Sequence, residues 1–202
     1  MTVAKPYSSA CDRNREPILA VLRQYFVDRS RVLEIGSGTG QHAVYFAAAL
    51  PQLRWQTSET ADNLPGLEMW LNEARLQNTP EPLQLDVNGA WPSARFDAVF
   101  SANTLHIMSW SEVERMFERL QTVLESNAAV AIYGPFNYGG KFASDSNAAF
   151  NASLQARGRH MAIRNFEDVN ALAGNIDLQL VADVAMPANN RTLVWRRKHA
   201  PL

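Results

Sequence analysis

The sequence predicts an α/β fold in which helices cover a mostly parallel sheet that ends in an antiparallel hairpin. Three observations support this class. A short aliphatic run at 31–35 leads into a glycine-rich loop and then into an apolar helix. Strand and helix patterns continue to alternate along the chain, an order typical of parallel sheets. The last two strand patterns are joined only by residues 186–191, too few for the crossover that parallel neighbours require.

The apolar patterns predict seven strands with helices between them. The strands are predicted at 31–35, 53–58, 83–87, 96–101, 128–133, 178–185 and 192–197. The helices are predicted over the apolar positions 18–26, at 41–50, at 64–77, over the apolar stripe 113–124, around 148–155 and near 166–173. Pro51 ends the second helix, and Pro80 and Pro82 break the chain before the third strand. Ser111 and Glu114 are predicted to form a capping box for the fourth helix.

The composition limits the size, the partners and the compartment. The chain has 202 residues, 47% of them apolar and 19% charged, which suits a single domain spanning 1–202. A net charge of −1 without a basic face argues against nucleic acid as a partner. The single cysteine, Cys11, excludes an internal disulfide and a cysteine-rich zinc site, and we expect no metal. Because no apolar run reaches ~20 residues and the N-terminus lacks a secretory segment, we expect a cytoplasmic protein without a membrane partner. The oligomeric state is left open.

The glycine loop narrows the choice of cofactor. Residues 34–42 are E-I-G-S-G-T-G-Q-H, so that Glu34 precedes glycines at 36, 38 and 40. Glycine permits a sharp turn and lets a ligand approach bare backbone, while the amides of the next helix face that ligand. The dinucleotide fingerprint needs its third glycine where this chain has Gln41, and there is no P-loop. The loop resembles the first motif of class I methyltransferases, which bind S-adenosylmethionine (SAM); a plain glycine-rich turn is the alternative. The candidate cofactor residues in this loop are Glu34, Gly36, Ser37, Gly38 and Gly40.

Further candidate cofactor residues follow from the rule that ligands bind beyond the carboxyl ends of the strands. Glu59 follows the second strand, 21 residues after Gly38, and its carboxylate can accept both hydroxyls of a ribose. An ordinary acid at a helix start is its alternative. Asp86 follows the third strand and can accept from an adenine amino group while Val87 packs on the ring, although isolated loop aspartates are common. Asn103 follows the fourth strand, where it can bind the amino-acid part of the cofactor.

Two candidates for proton transfer stand at the same edge. His106 lies three residues after Asn103, and imidazole titrates near working pH, so it is either a general base or a structural histidine. Tyr133 follows the fifth strand and can exchange a proton. The segment 134–166 is polar and contains flexible glycines, which suits a lid over an acceptor. Its Tyr138 is a candidate for the acceptor pocket.

Three other residues are candidates for the acceptor pocket. His42 follows the glycine loop, where capping or packing explains it equally well. Asn189 and Asn190 form the hairpin turn at the same edge of the sheet. Asparagine also suits tight turns because it tolerates left-handed backbone angles, so a structural role is the alternative.

These motifs together resemble a more specific family, the methyltransferase-like protein twenty-six family, also known as a domain of unknown function. The resemblance covers nearly the whole chain and rests on R-N-R-E-P-I-L at 13–19, S-G-T-G-Q-H at 37–42, W-Q-T-S-E at 55–59, L-D-V at 85–87, Asn103, His106, Y-G-P-F at 133–136, G-K at 140–141, S-N at 146–147 and M-P-A-N-N at 186–190. That family usually has aspartate where this chain has Glu59 and Asn151. Glu59 keeps the ribose role, whereas no acid–base role is carried to Asn151.

The resemblance implies a class I methyltransferase fold with SAM as cofactor and S-adenosylhomocysteine (SAH) as product. It implies methyl transfer to an acceptor that we expect to be a small molecule. The N-terminal segment 1–17 then covers the cofactor, and Arg13 or Arg15 pairs with the methionine carboxylate unless both are surface residues at a helix start. One alternative is a SAM-binding module without turnover. Another is a nicotinamide-dependent oxidoreductase, which the glycine loop and the hairpin disfavour.

Overall fold

Helices and strands alternate along residues 4–198, the part of the chain that the computed structural model describes. The strands are β1 (Arg31–Ile35), β2 (Arg54–Glu59), β3 (Leu83–Gln84), β4 (Phe96–Ala102), β5 (Leu124–Asn137), β6 (Arg164–Asn165), β7 (Leu178–Met186) and β8 (Asn190–Arg197). The helices are α1 (Ser9–Tyr25), α2 (Gln41–Ala49), α3 (Leu64–Ala74), α4 (Trp110–Val123), α5 (Asp145–Arg157) and α6 (Phe166–Gly174). None of these helices combines the length and the apolarity needed to cross a membrane.

The sheet confirms the predicted α/β class. Its strand order is β3-β2-β1-β4-β5-β8-β7, and all pairs from β3 to β5 are parallel. Strand β8 runs antiparallel to both β5 and β7, so that the two closing strands form the predicted hairpin. The seven predicted strands make up this path. The additional β6 pairs in parallel with the end of β5, and two residues are too short to give a detectable pattern.

The two faces of the sheet bury separate apolar clusters, as alternation along a strand requires. In β5, Val130 and Ile132 face α4 and α6, whereas Ala129 and Ala131 face α1 and α2. Small alanines on the second face leave room for large rings, including Phe46, whose ring centroid lies 5.4 Å from that of Phe100. Helix α5 belongs to neither cluster and lies beyond the carboxyl end of β5.

Two local predictions need correction. The first helix begins at Ser9, nine residues before the apolar positions, because its first turns are covered only in part and carry little apolar signal. The capping box consists of Ser109 and Glu112, not of Ser111 and Glu114. Both pairs have the same S-x-x-E spacing, so the sequence alone does not separate them.

Candidate functional site

A cavity of about 590 Å³ opens at the carboxyl ends of β1, β2, β3 and β4, within the range of ~300–1,000 Å³ usual for ligand sites. Eight of the residues predicted from the sequence line it: Gly36, Ser37, Gly38, His42, Glu59, Asp86, Val87 and Asn103. Other predicted residues lie outside this lining: Arg13, Glu34, Gly40, His106, Tyr133, Tyr138, Asn189 and Asn190. The structure therefore brings half of the predicted site residues together around the cavity, whereas the other half lie outside its lining.

Glycine is needed at the three positions of the loop for different physical reasons. A Cβ on Gly36 would lie 2.4 Å from the Thr104 side chain, and a Cβ on Gly40 would lie 2.7 Å from Leu67. Both glycines also have positive φ angles, of 70° and 90°. Gly38 has a φ of 56° and nothing within 4 Å of its Cβ position, so its bare backbone faces open space. A ligand can therefore contact the main chain directly at Gly38.

Glu34 supports the loop from below. Its Oε2 accepts hydrogen bonds from Ser37 Oγ at 2.9 Å and from Trp55 Nε1 at 3.0 Å. Ser58 Oγ in turn donates to the Glu34 carbonyl oxygen at 2.7 Å. Burial raises the pKa of Glu34 to about 7, and the charge of Glu59 adds to the rise. The hydrogen bonds from Trp55 and Ser37 lower the pKa but do not offset the effect of burial. Glu34 therefore positions Ser37, which lines the cavity, while lying outside the cavity lining itself.

Glu59 joins β2 to the glycine loop. Its Oε2 accepts from the Gly38 amide at 2.7 Å, and its Oε1 accepts from the Thr60 amide at 2.9 Å and from Asn63 Nδ2 at 3.2 Å. Only 8% of Glu59 is exposed, and that surface faces the cavity. The next strand is held close by, because the Leu85 amide donates to the Glu59 carbonyl at 2.9 Å. A fixed carboxylate with remaining acceptor capacity suits a pair of hydroxyl donors.

The N-terminal segment covers one side of the cavity. Ser8 and Cys11 line it, and the Gln41 side chain holds Ser8 by accepting from its amide at 2.5 Å and donating to its carbonyl at 3.3 Å. Trp70 Nε1 donates to the Pro6 carbonyl at 2.7 Å. Gln41 occupies the third-glycine position of the dinucleotide fingerprint, and its role was missed because its partner lies 33 residues away. Arg13 lies on the exposed face of α1, with its guanidinium donating to Ser9.

His42 and Asn14 form a buried pair beside this cover. Nε2 of His42 lies 2.7 Å from Oδ1 of Asn14, and both residues are only 6% exposed. Burial, together with the charge of Arg15, lowers the pKa of His42 to about 4. The imidazole is therefore neutral at neutral pH and donates from Nε2 to the amide oxygen.

His106 and Tyr133 lie on opposite faces of the sheet. The His106 Nδ1 atom lies 3.8 Å from the Cβ position of Gly134, whereas Tyr133, the preceding residue, packs with α1 and α2. Burial lowers the pKa of His106 to about 4. The Phe150 ring packs edge-on against the imidazole, with 5.4 Å between the two ring centroids. Burial raises the pKa of Tyr133. The two predicted proton-transfer groups therefore do not act on one atom together.

The remaining acceptor-pocket candidates are held by structural contacts. Tyr138 Oη donates to Asp183 at 2.8 Å, and burial and this bond raise the pKa of the phenol. Asn189 has a φ of 56° in the hairpin turn, and its carbonyl accepts from Asn147 at 3.4 Å. Asn190 Nδ2 donates within the same turn at 3.1 Å. These asparagines show the left-handed and turn geometry that the structural alternative described.

Several lining residues were missed from the sequence. Ile107, Met108 and Glu112 follow Asn103, and the S-x-x-E capping pattern places Glu112 at the start of α4. His160 comes from the segment 134–166, and no sequence pattern marks it. Within residues 4–198, no group of three or more histidine, cysteine, aspartate or glutamate side chains is arranged to hold a metal ion.

Several solved structures with the same fold are methyltransferases by their names. An O-methyltransferase family protein from Burkholderia thailandensis superposes with a TM-score of 0.81 at 13% identity, covering 92% of this chain and 57% of its own. The SAM-dependent methyltransferase SibL gives 0.80 at 20% identity, covering 94% and 56%. Human N-acetylserotonin methyltransferase in complex with SAM gives 0.80 at 10% identity, covering 94% and 53%. The chain thus has the class I methyltransferase fold and spans little more than half the length of these proteins.

The family comparison extends over almost the whole chain. The model described as a protein of unknown function, DUF938, matches residues 5–197. That range includes the glycine loop, every lining residue of the cavity and the closing hairpin. The chain belongs to the DUF938 family.

Proposed function

We propose that this protein is a SAM-dependent methyltransferase that acts on a small-molecule acceptor. The observation that carries the proposal is the cavity itself, in which the bare backbone of Gly38, the fixed carboxylate of Glu59 and the Asp86–Val87 turn face one space. Each feature suits one part of SAM, which has an amino-acid tail, a ribose diol and an adenine but no phosphate. The motif resemblance adds the finer proposal that the chain is related to the methyltransferase-like protein twenty-six family.

The residues of the site have separable tasks in this mechanism. When bound, SAM supplies a methyl group on a sulfonium, which an acceptor atom attacks in line. The bare backbone of Gly38 and the Glu59 carboxylate contact the cofactor, and the N-terminal segment 4–17 excludes water from one side. Asn103 stands at the rim with a φ of 59°, a left-handed angle that turns the chain between β4 and the residues that follow.

The acceptor is proposed to lie beside His106. Its imidazole is neutral at neutral pH, so it can accept a proton from an oxygen or nitrogen nucleophile. Phe150, exposed by 37%, offers apolar surface next to it. This surface suits a small apolar molecule, and the net charge of −1 does not favour nucleic acid.

One observation favours a second candidate, a SAM-binding module without turnover. His106 and Tyr133 both lie outside the residues that line the cavity. A binding module keeps the cofactor residues and needs no proton acceptor. The two candidates differ in whether purified protein releases SAH from SAM when a panel of hydroxylated and amino small molecules is supplied.

The first experiment is calorimetry with SAM, SAH and NAD. We expect micromolar binding of SAM and SAH, no binding of NAD, and a loss of about 10- to 100-fold in SAH affinity on Glu59→Gln, since about 1.5–3 kcal/mol attends a charged hydrogen bond. Glu68→Gln on the exposed side of α3 is the matched control and keeps wild-type affinity. Binding of NAD, or of neither SAM nor SAH, contradicts the proposal.

A further inference from the structure

One wall of the cavity comes from a distant part of the chain. His160 lies in the turn between α5 and β6, yet it lines the cavity together with Met108 and Glu112. The other lining residues come from the N-terminal segment or follow β1, β2, β3 and β4. The segment 134–166, predicted as the acceptor-side lid, therefore also contributes to the cofactor side.

Hydrogen bonds join the Asp86–Val87 turn to Glu112, which lines the cavity together with His160. The Asn88 amide donates to Asp86 Oδ1 at 2.8 Å, and Asn88 Nδ2 donates to Glu112 Oε1 at 3.3 Å. The pKa of Glu112 is lowered mainly by its hydrogen bond from the Ser109 amide and in smaller part by the nearby His160 side chain. His160, Glu112 and the turn at 86–88 thus enclose one end of the cavity.

The chemistry of this end suits a purine. Leu85, Val87, Ile107 and Met108 provide apolar contact for the faces of a flat ring. The carboxylates of Asp86 and Glu112 only accept hydrogen bonds, so they can meet the amino group of adenine but none of its ring nitrogens. Among the described lining side chains at this end, His160 alone carries an N–H that can donate to a ring nitrogen.

The turn places the imidazole of His160, an exposed residue, against Gly158. A Cβ on Gly158 would lie 2.8 Å from His160 Cε1, so the ring rests directly against the glycine. Gly158 has an extended φ of −168°, which any residue adopts, so a Cβ at this position would be met first by the imidazole and would displace the ring. Arg164 donates to the carbonyls of His160 and Leu105, each at 3.0 Å, and so ties the turn to the loop that carries Ile107 and Met108.

We propose that His160 is a purine-binding residue of the cofactor site, delivered by the lid segment and donating to a ring nitrogen of adenine. The inference rests on the proposed SAM function and adds to it a residue from outside the strand-end loops. It implies that the adenosine half of the ligand is enough to engage the lid segment.

The test is calorimetry with two ligands that share the purine, SAH and 5′-methylthioadenosine. His160→Ala is expected to weaken both by about the same factor, near 10-fold, the upper range for a neutral hydrogen bond. Gly158→Ala displaces the ring without removing it and is expected to weaken both by about 3-fold. Arg159→Ala, the exposed neighbour outside the lining, is the control and keeps wild-type affinity.

The outcomes separate this inference from the proposed function. Unchanged affinity in His160→Ala, with wild-type protein binding SAH, overturns only the role of His160. A loss for SAH without a loss for 5′-methylthioadenosine places the contact on the amino-acid half and overturns the purine assignment. Wild-type protein that binds neither ligand contradicts the SAM function, and the inference falls with it. Melting temperatures check folding, and if His160→Ala is unfolded, Gly158→Ala decides.

Discussion

The glycine-loop side and the lid side of the site are built on different principles. On the glycine-loop side, polar contacts join residues close in the chain: Ser37 bonds Glu34 three residues away, and Ser58 bonds it 24 residues away. On the lid side, contacts span long separations, such as 45 residues for Tyr138 to Asp183 and 59 for Arg164 to Leu105. The contacts of Glu34 thus lie within β1, β2 and the loop that follows β1, whereas these lid-side contacts join elements that lie far apart in the chain.

The two sides also differ in charge. Burial holds the Glu34 carboxyl partly protonated near neutral pH, while it holds the His106 imidazole neutral down to about pH 4. Desolvation disfavours the charged form of a group, so it raises the pKa of a carboxyl group and lowers the pKa of an imidazole. Stability is therefore expected to change at Glu34 as pH rises through 7, and at His106, as at the similarly buried His42, as pH falls.

The largest effect is expected from breaking the glycine-loop side at its most crowded point. Gly36→Ala introduces a Cβ that would clash with Thr104 at a φ of 70°, so we expect a loss of about 2–4 kcal/mol in unfolding free energy and more than ~100-fold in SAH affinity. Chemical denaturation and calorimetry measure the two. Gly139→Ala on the lid side is the matched control, with a φ of 56° but nothing within 4 Å, and leaves SAH affinity unchanged. Equal effects of the two substitutions would contradict the comparison.

A second prediction concerns the pH dependence of stability at Glu34. Its pKa is about 7 in the folded protein against 4.5 for a free glutamate, so the folded state keeps a proton that the unfolded chain releases. This favours the folded state below about pH 4.5, and the contribution is lost as pH rises through 7. Glu34→Gln, which cannot ionise, is therefore expected to gain up to about 3 kcal/mol over wild type at pH 8 and little at pH 4.

The measurement for Glu34 is denaturant unfolding from pH 4 to pH 8. The exposed Glu118→Gln controls for the change in net charge. A difference between Glu34→Gln and wild type that stays constant over this range would show that Glu34 does not titrate as described.

The pH dependence of stability at His106, on the lid side, is expected to have the opposite sign to that at Glu34. His106 has a pKa of about 4 when folded against 6.5 when free, so the unfolded chain binds the extra proton and stability falls as pH drops from about 6.5 to 4. Histidine NMR signals followed between pH 3 and 8 measure the folded value directly, with His106→Gln identifying the signal. A midpoint near 6.5 would show that the imidazole is solvated and that the lid side is open.

The smallest effect tests whether Tyr138 belongs to the chemistry or to the scaffold. Tyr138→Phe removes the bond to Asp183 and is expected to cost about 1 kcal/mol of unfolding free energy, with SAH affinity unchanged. Thermal unfolding and calorimetry test this together. A change in SAH affinity without a change in stability would place Tyr138 in the binding site.

The sequence predicted the glycine-loop side well because its signals are local. The alternation of strands and helices gave the sheet, and the strand-end rule led to Glu59, Asp86 and Asn103, all of which line the cavity. The short separations within each strand–loop–helix unit leave little freedom for error.

The lid side was harder to predict because distance in the chain hides its contacts. His106 and Tyr133 were predicted as alternative proton-transfer groups at the same edge of the sheet. Tyr133 and Gly134 are adjacent residues of β5 and face opposite sides of the sheet, so that His106, which lies near Gly134, and Tyr133 are separated. His160 has no pattern, since its position depends on Arg164 bonding to carbonyls 56 and 59 residues away. The prediction of the capping box was wrong for a simpler reason: two overlapping residue pairs have the same S-x-x-E spacing.

The most direct test of the account is a crystal structure of the protein with SAH at saturating concentration. We predict the ribose hydroxyls on Glu59 and the purine between Val87 and Met108 with His160 at its edge. The homocysteine part should follow the glycine loop toward Ser8. SAH bound elsewhere, or an empty cavity under conditions where SAH binds in solution, would contradict the assignment of this cavity as the cofactor site.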